Sequence, residues 1–190
     1  MLIREEIASS GPMPFSRFME RCLYAPGLGY YSAGKAKLGE AGDFITAPEL
    51  GALFARCIAN AIAPALRACG EAAKFFELGG GSGAFARDCM LQLQKLDALP
   101  QHYWLLEPGA DLRERQRTLL HEALAPELFA RIEWIDRPPQ QAWSVVLFAH
   151  ELLDALPVTR FAIVEGEVFE EHVIVDANEN FVRSDRPADA

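Results

Sequence analysis

The sequence predicts an α/β fold centred on a doubly wound, mostly parallel sheet that is left incomplete, with helices before it and a small antiparallel β excursion after it. Three observations predict this. Strand-length apolar runs alternate with helix-length stretches between residues 74 and 149. Those runs lack the strict apolar-polar alternation of a half-exposed sheet, which indicates strands covered on both faces. The first of them passes through a glycine-rich turn directly into a helix.

Taken in order, Phe15, Phe18, Met19, Cys22 and Leu23 recur at three- and four-residue steps and predict a helix from Pro14 to Tyr24, with Pro26-Gly27 at its exit. Residues 27–42 hold five glycines and two adjacent tyrosines and read as an ordered loop. A second helix is expected from Pro48 to about Cys69, bent or ended by Pro64. Strands follow at Lys74–Leu78, His102–Glu107, Arg131–Ile135 and Ser144–Ala149, separated by helices at Ala84–Leu96 and Ala110–Ala123. Beyond Val158 the texture changes to turn-separated strands, with Glu165-Gly166-Glu167 as a hairpin turn. The expected segments are therefore a helical and glycine-rich cap region at 1–70, a core at 71–157 and a hairpin or meander at 158–190. A doubly wound sheet normally continues past its fourth strand. Either the chain is a fragment or a partner completes the sheet.

Bulk properties narrow the function. The chain has 190 residues, 51% of them apolar, enough for one domain with a substantial core. A formal net charge of −9 argues against a nucleic-acid partner. The four cysteines form no close pair, so reduced thiols in a cytoplasmic protein are expected and a structural zinc site is not. The start, Met1-Leu2-Ile3-Arg4-Glu5-Glu6, is acidic where a leader would be basic and apolar, and the segment from Cys57 to Leu66 is too short to span a bilayer, so no membrane association is expected. Composition gives no oligomeric state.

The chemistry concentrates at the turn Glu77-Leu78-Gly79-Gly80-Gly81-Ser82-Gly83. Glycines 79, 81 and 83 let the backbone approach a ligand without Cβ obstruction, which indicates a nucleotide-type site. Gly79, Gly81 and Ala84 also satisfy a dinucleotide fingerprint, so an NAD-dependent oxidoreductase is one alternative. An acid just before the turn repels pyrophosphate but suits S-adenosyl-L-methionine, which carries an ammonium and a sulfonium and no phosphate. Glu107 stands 24 residues beyond Gly83 at a strand end, where its carboxylate can accept from both hydroxyls of a ribose. Trp134 and Asp136 offer an apolar wall and an acceptor for adenine; packing in the core is the competing role for Trp134. After the fourth strand come His150, Glu151 and Asp154. His150-Glu151-Leu152-Leu153-Asp154 approaches a zinc-peptidase motif, but its fifth residue is Asp and no third ligand is evident, so no metal is assigned. These groups suit orienting and deprotonating a nitrogen nucleophile, or simply solvating a short helix.

Four segments in sequence order carry a resemblance: Gly42-Asp43-Phe44-Ile45-Thr46-Ala47-Pro48-Glu49, Phe76 to Gly83, Leu106-Glu107 and Ala149 to Val158. They resemble the MidA-like family of S-adenosylmethionine-dependent methyltransferases, from the first helix to about Arg183. Mitochondrial members of that family act in respiratory complex I assembly as protein arginine methyltransferases. The resemblance implies a Rossmann-like methyltransferase core, S-adenosyl-L-methionine as cofactor, and a protein acceptor such as a respiratory-complex subunit. It also implies that the loop carrying Asp43 and Thr46 folds over the cofactor near the reacting groups. Two departures are visible. Gly80 stands where the family often has proline, and family members continue well past residue 190. A catalytically inactive module kept for protein contacts is therefore the second alternative.

Overall fold

The computed structural model describes residues 2–32, 45–140 and 145–188. Its contacts divide the chain into two compact units: residues 1–34 together with 153–190, and residues 35–152. This partition differs from breaks at 70 and 157, because the long helix before the core belongs to the sheet it packs on, while both flanks join one another.

In the unit of residues 35–152, a single-turn 3-10 helix (Ala47–Leu50) precedes α3 (Leu53–Ala68). Here α1 (Leu2–Ser10) and α2 (Phe15–Tyr24) of the other unit are counted first. Pro64 lies inside α3, which runs four residues beyond it, so the helix does not end there. Ala55, Ala59 and Ala63 recur every four residues and are buried, a smooth strip on which α4 (Ala84–Lys95) packs closely. The sheet comprises β2 (Lys74–Leu78), β3 (His102–Leu106), β4 (Ile132–Ile135) and β5 (Val145–Ala149), all parallel, in the order β4-β3-β2-β5. Helix α5 (Ala110–Ala123) and the short α6 (Pro126–Phe129) lie between β3 and β4. From β2 the chain winds outward through β3 to β4, then returns to β5 on the other side of β2. The strand order reverses there, and an open α/β sheet binds its ligand at such a point.

Phe75, Tyr103, Leu105, Ile132 and Phe148 share the face covered by α3, α4 and α5. Phe85 of α4 stacks on Phe148 with centroids 4.2 Å apart. The opposite face buries Phe76 and Trp104 but leaves Leu147 half exposed. Among the described residues β5 pairs only with β2, so the sheet is open at that edge.

The other unit is built from both flanks. β7 (Glu167–Val175) pairs along one side with β8 (Phe181–Pro187) and on the other with β6 (Phe161–Val164) and β1 (Met13–Pro14), all antiparallel. Glu165 and Gly166 both take positive φ and make a two-residue hairpin turn within the expected Glu165-Gly166-Glu167, whose last residue already opens β7. Ile7, Met13 and Val173 form the small core, with Ile3, Phe15 and Phe18 against it. The carboxylate of Glu6 accepts from Arg17 and Arg21, tying α1 to α2. No helix among the described residues is long and apolar enough to cross a membrane.

Candidate cofactor site

The glycine turn leaves β2 at the reversal point. Gly79, Gly81 and Gly83 have φ of 70°, 53° and 90°, the left-handed region that other residues enter at a cost. A Cβ on Gly79 would lie 2.9 Å from Leu152, and one on Gly80 would lie 2.4 Å from the Leu105 side chain. The turn is thus pressed between the segment after β5 and the face of β3, and Gly80 fits where a larger residue would displace Leu105. Gly79 N–H donates to the Leu106 carbonyl (2.9 Å), which fastens the turn to the end of β3.

Glu77 occupies an unexpected position for an acid that meets a ligand. It shares the parity of Phe75 on β2 and so points to the helix-covered face, where it is 3% exposed. The Tyr103 hydroxyl donates to its Oε2 at 2.7 Å. Burial, opposed by that hydrogen bond and reinforced by Glu107, pushes the Glu77 carboxyl up to about 7. Burial and the neighbouring Glu77 also push up the hydroxyl of Tyr103 and the thiol of Cys89. Glu77 therefore lies beneath the turn, and any attraction for a cation acts from below it.

Glu107 follows β3 and is buried, with each oxygen held by one donor: Gly109 N–H to Oε1 at 3.0 Å and the Gln116 amide to Oε2 at 3.4 Å. Burial raises its carboxyl, while Gly109, Gln116 and Arg113 act in the opposite direction. Since a carboxylate has about four acceptor positions, capacity remains for two hydroxyls. Arg113 straps the strand ends together, donating to the Glu107 carbonyl (2.6 Å), the Ile135 carbonyl (2.9 Å) and Asp136 (2.6 Å). Asp136 is 86% exposed beside it. Trp134 donates its indole N–H to Gln116 (2.9 Å) and carries the Arg117 guanidinium 5.0 Å above its ring.

The segment after residue 44 reaches the turn through Glu49, which accepts from the Ser82 hydroxyl at 2.5 Å. Thr46 lies just ahead, extended, at the entrance of the 3-10 helix, with no side-chain cap bond. Asp43 lies outside the described residues. Beyond β5, His150 rests against Phe54 (centroids 4.8 Å apart) and Phe148, and Glu151 follows with φ of 50°. Asp154 is exposed and belongs to the other unit. It lies on a 3-10 turn (Leu153–Ala155) where Tyr24 donates to the Ala155 carbonyl (2.7 Å) and stacks on Tyr31. Burial, with Asp154 adding to it, raises the Tyr31 hydroxyl.

The structure thus knits together Glu77, the glycine turn, Glu107, Trp134 and Asp136, and brings Glu49 to them. Gln116, Arg113 and Tyr103 escaped the sequence reading. Gln116 had a visible signal, a polar residue set in the apolar stripe Leu112, Leu120 at helical spacing.

A parallel sheet with a glycine turn at its reversal point, an acid at the end of the next strand and no basic residue in the turn defines a nucleoside-binding α/β protein of the class I methyltransferase type. Residues 57–190 match the family model described as "Putative S-adenosyl-L-methionine-dependent methyltransferase", and the chain belongs to that family. It is 33% identical over 187 residues to the Drosophila melanogaster "Protein arginine methyltransferase NDUFAF7 homolog, mitochondrial", covering 87% of this chain and 42% of that protein. The human protein of that name, without "homolog", is 30% identical over 181 residues, covering 82% and 40%. A Burkholderia thailandensis crystal structure bound to S-adenosyl-homocysteine superposes with a TM-score of 0.85 at 41% identity, covering 98% of this chain and 49% of that one. The chain thus spans about half the length of the relatives it matches.

Proposed function

We propose that this chain binds S-adenosyl-L-methionine across the carboxyl ends of β2, β3 and β4, and that the whole protein methylates a nitrogen of a protein acceptor, an arginine side chain. The observation that carries the reading is the 41% identical fold bound to S-adenosyl-homocysteine, which matches nearly all of this chain. The residues fit such a cofactor: the turn bears no Cβ on its glycines, and a buried carboxylate retains acceptor capacity at the adjoining strand end. In this reading Gly79, Gly80, Gly81 and Gly83 give close backbone approach, Glu107 accepts from the ribose hydroxyls, and Trp134 and Asp136 flank the adenine. The cofactor supplies an activated methyl on a sulfonium, so the protein's task is alignment and exclusion of water. His150 and Glu151 follow β5, which pairs with β2, and Leu152 after them meets Gly79. Thr46 and Asp43 keep the places near the reacting groups that the family resemblance implies, and a carboxylate such as Asp154 or Glu151 takes the nitrogen's proton as the carbon-nitrogen bond forms.

Arginine as acceptor and a respiratory-complex subunit as partner rest on the relatives' names and the family resemblance, and a cytoplasmic setting on the four unpaired thiols. Titration calorimetry tests the cofactor: binding of S-adenosyl-homocysteine without NADH supports the reading, and the reverse overturns it. Transfer of labelled methyl to arginine of an acceptor protein, abolished by Glu107→Ala, tests the activity.

A further inference from the structure

Gln116 sits in the middle of α5 and is completely buried. A leucine would suit that stripe, whereas an amide must be fully hydrogen-bonded to be tolerated there. Its bonds run to three different elements. The Nε2 group donates to the Gly81 carbonyl (2.9 Å) and toward Glu107 Oε2 (3.4 Å), while Oε1 accepts from the Trp134 indole (2.9 Å). One side chain therefore joins the glycine turn, the acid after β3 and the aromatic ring of β4.

The turn is shaped around it as well. A Cβ on Gly80 would lie 3.1 Å from its Nε2, and one on Gly83 would lie 3.4 Å from its Cα and Cγ. The polarity of an amide matches these neighbours and no other side chain of similar size does. Leucine or methionine would leave Gly81, Glu107 and Trp134 without their partner. Glutamate would set a second carboxylate against Glu107 and lose the donor to Gly81.

We infer that Gln116 is a positioning residue that aims Glu107 at the cofactor's ribose, so that the site demands a 2′,3′-diol. The inference rests on the proposed pairing of Glu107 with the ribose. It acts through geometry: with Gly109 holding one oxygen and Gln116 the other, the carboxylate has one orientation, and its remaining lone pairs point one way.

Titration calorimetry with S-adenosyl-homocysteine and its 2′,3′-dideoxyribose analogue tests this on wild type, Gln116→Met and Glu107→Ala. The wild-type chain is expected to favour the diol. Gln116→Met should weaken S-adenosyl-homocysteine about tenfold or more, the loss of a buried bond to a charged group, while changing the dideoxy analogue less than about threefold. Adding Gln116→Met to Glu107→Ala should bring no further loss. Equal weakening of both ligands, or none, overturns the role of Gln116 and leaves the cofactor reading standing. A wild-type chain that binds both ligands equally, or neither, overturns the ribose pairing and the inference with it. Should the methionine variant melt below the assay temperature, Gln116→Glu supplies the comparison: the diol preference should fall as pH rises and the second carboxylate ionises, and an unchanged preference overturns the proposal.

Discussion

Replacing Glu77 by glutamine isolates the effect of a buried carboxyl under the glycine turn. In the folded chain this group titrates near 7, against an ordinary 4.5. Its proton affinity is raised by folding, so its stabilising contribution is complete below pH 4.5 and is lost as pH rises through 7. The difference of about 2.5 pH units corresponds to about 3 kcal/mol between the two limits. Within a practical window, wild type should be about 1 kcal/mol more stable at pH 6 than at pH 8.5 from this group alone. The Glu77→Gln chain should lose that slope while Tyr103 keeps an acceptor at the same place. Urea unfolding at the two pH values, followed by tryptophan fluorescence, measures both chains. Equal pH dependence in wild type and variant would refute the reasoning, for it would mean that Glu77 is ionised at no cost or hydrated from beneath. Added S-adenosyl-homocysteine, whose ammonium favours the ionised carboxyl, should reduce the wild-type slope.

Arg113→Met should lower stability by about 1–3 kcal/mol, because the Glu107 and Ile135 carbonyls lose a charged donor, and chemical denaturation will show it. Asp136→Ala removes only an exposed partner of that arginine and should change stability by less than about 1 kcal/mol, so a clear fall in S-adenosyl-homocysteine affinity would mark a direct contact with the ligand. Gly80→Ala should destabilise by about 1–3 kcal/mol through overpacking against buried Leu105, a thermal melt being the check. Thiol labelling of the native chain should reach Cys22, Cys57 and Cys69, which are exposed, and leave buried Cys89 silent until denaturant is added.

Much of the central sheet was legible because its signals are local. Helix α5 begins and ends at the residues its amphipathic run predicts, and β2 lies where five apolar-rich residues precede the turn. The 3-10 break at 47–50 and the uninterrupted α3 were not, since Pro64 sits on an exposed side where a missing backbone bond is tolerated. Helix α1 turns only Ile3 and Ile7 onto the small core and is fixed by Met13 and Val173, partners that no short window contains. That Glu107 stands at the end of the strand beside the glycine turn was readable from its spacing. The direction of Glu77 was not. β2 is apolar on both faces, so its composition does not say which parity faces the helices, and only the register with Tyr103 and Phe148 decides it. Gln116 was legible as an inward residue of the stripe Leu112, Leu120, but not its three partners, and nothing in the helix periodicity says that Arg113 turns to the Glu107 and Ile135 carbonyls.

The pairing of Met13 with Val173 has a consequence for how the protein is made. On a ribosome the first two helices emerge well before the strand that receives them, and all of residues 35–152 is synthesised in between. The sheet-bearing middle can collapse as soon as it clears the exit tunnel, whereas the early helices wait with Phe15 and Phe18 uncovered. Nascent chains stalled where residue 152 has just cleared the tunnel and β7 is still inside it should therefore show a protease-resistant middle and a labile beginning, and chaperones that clasp apolar segments have their longest opportunity there.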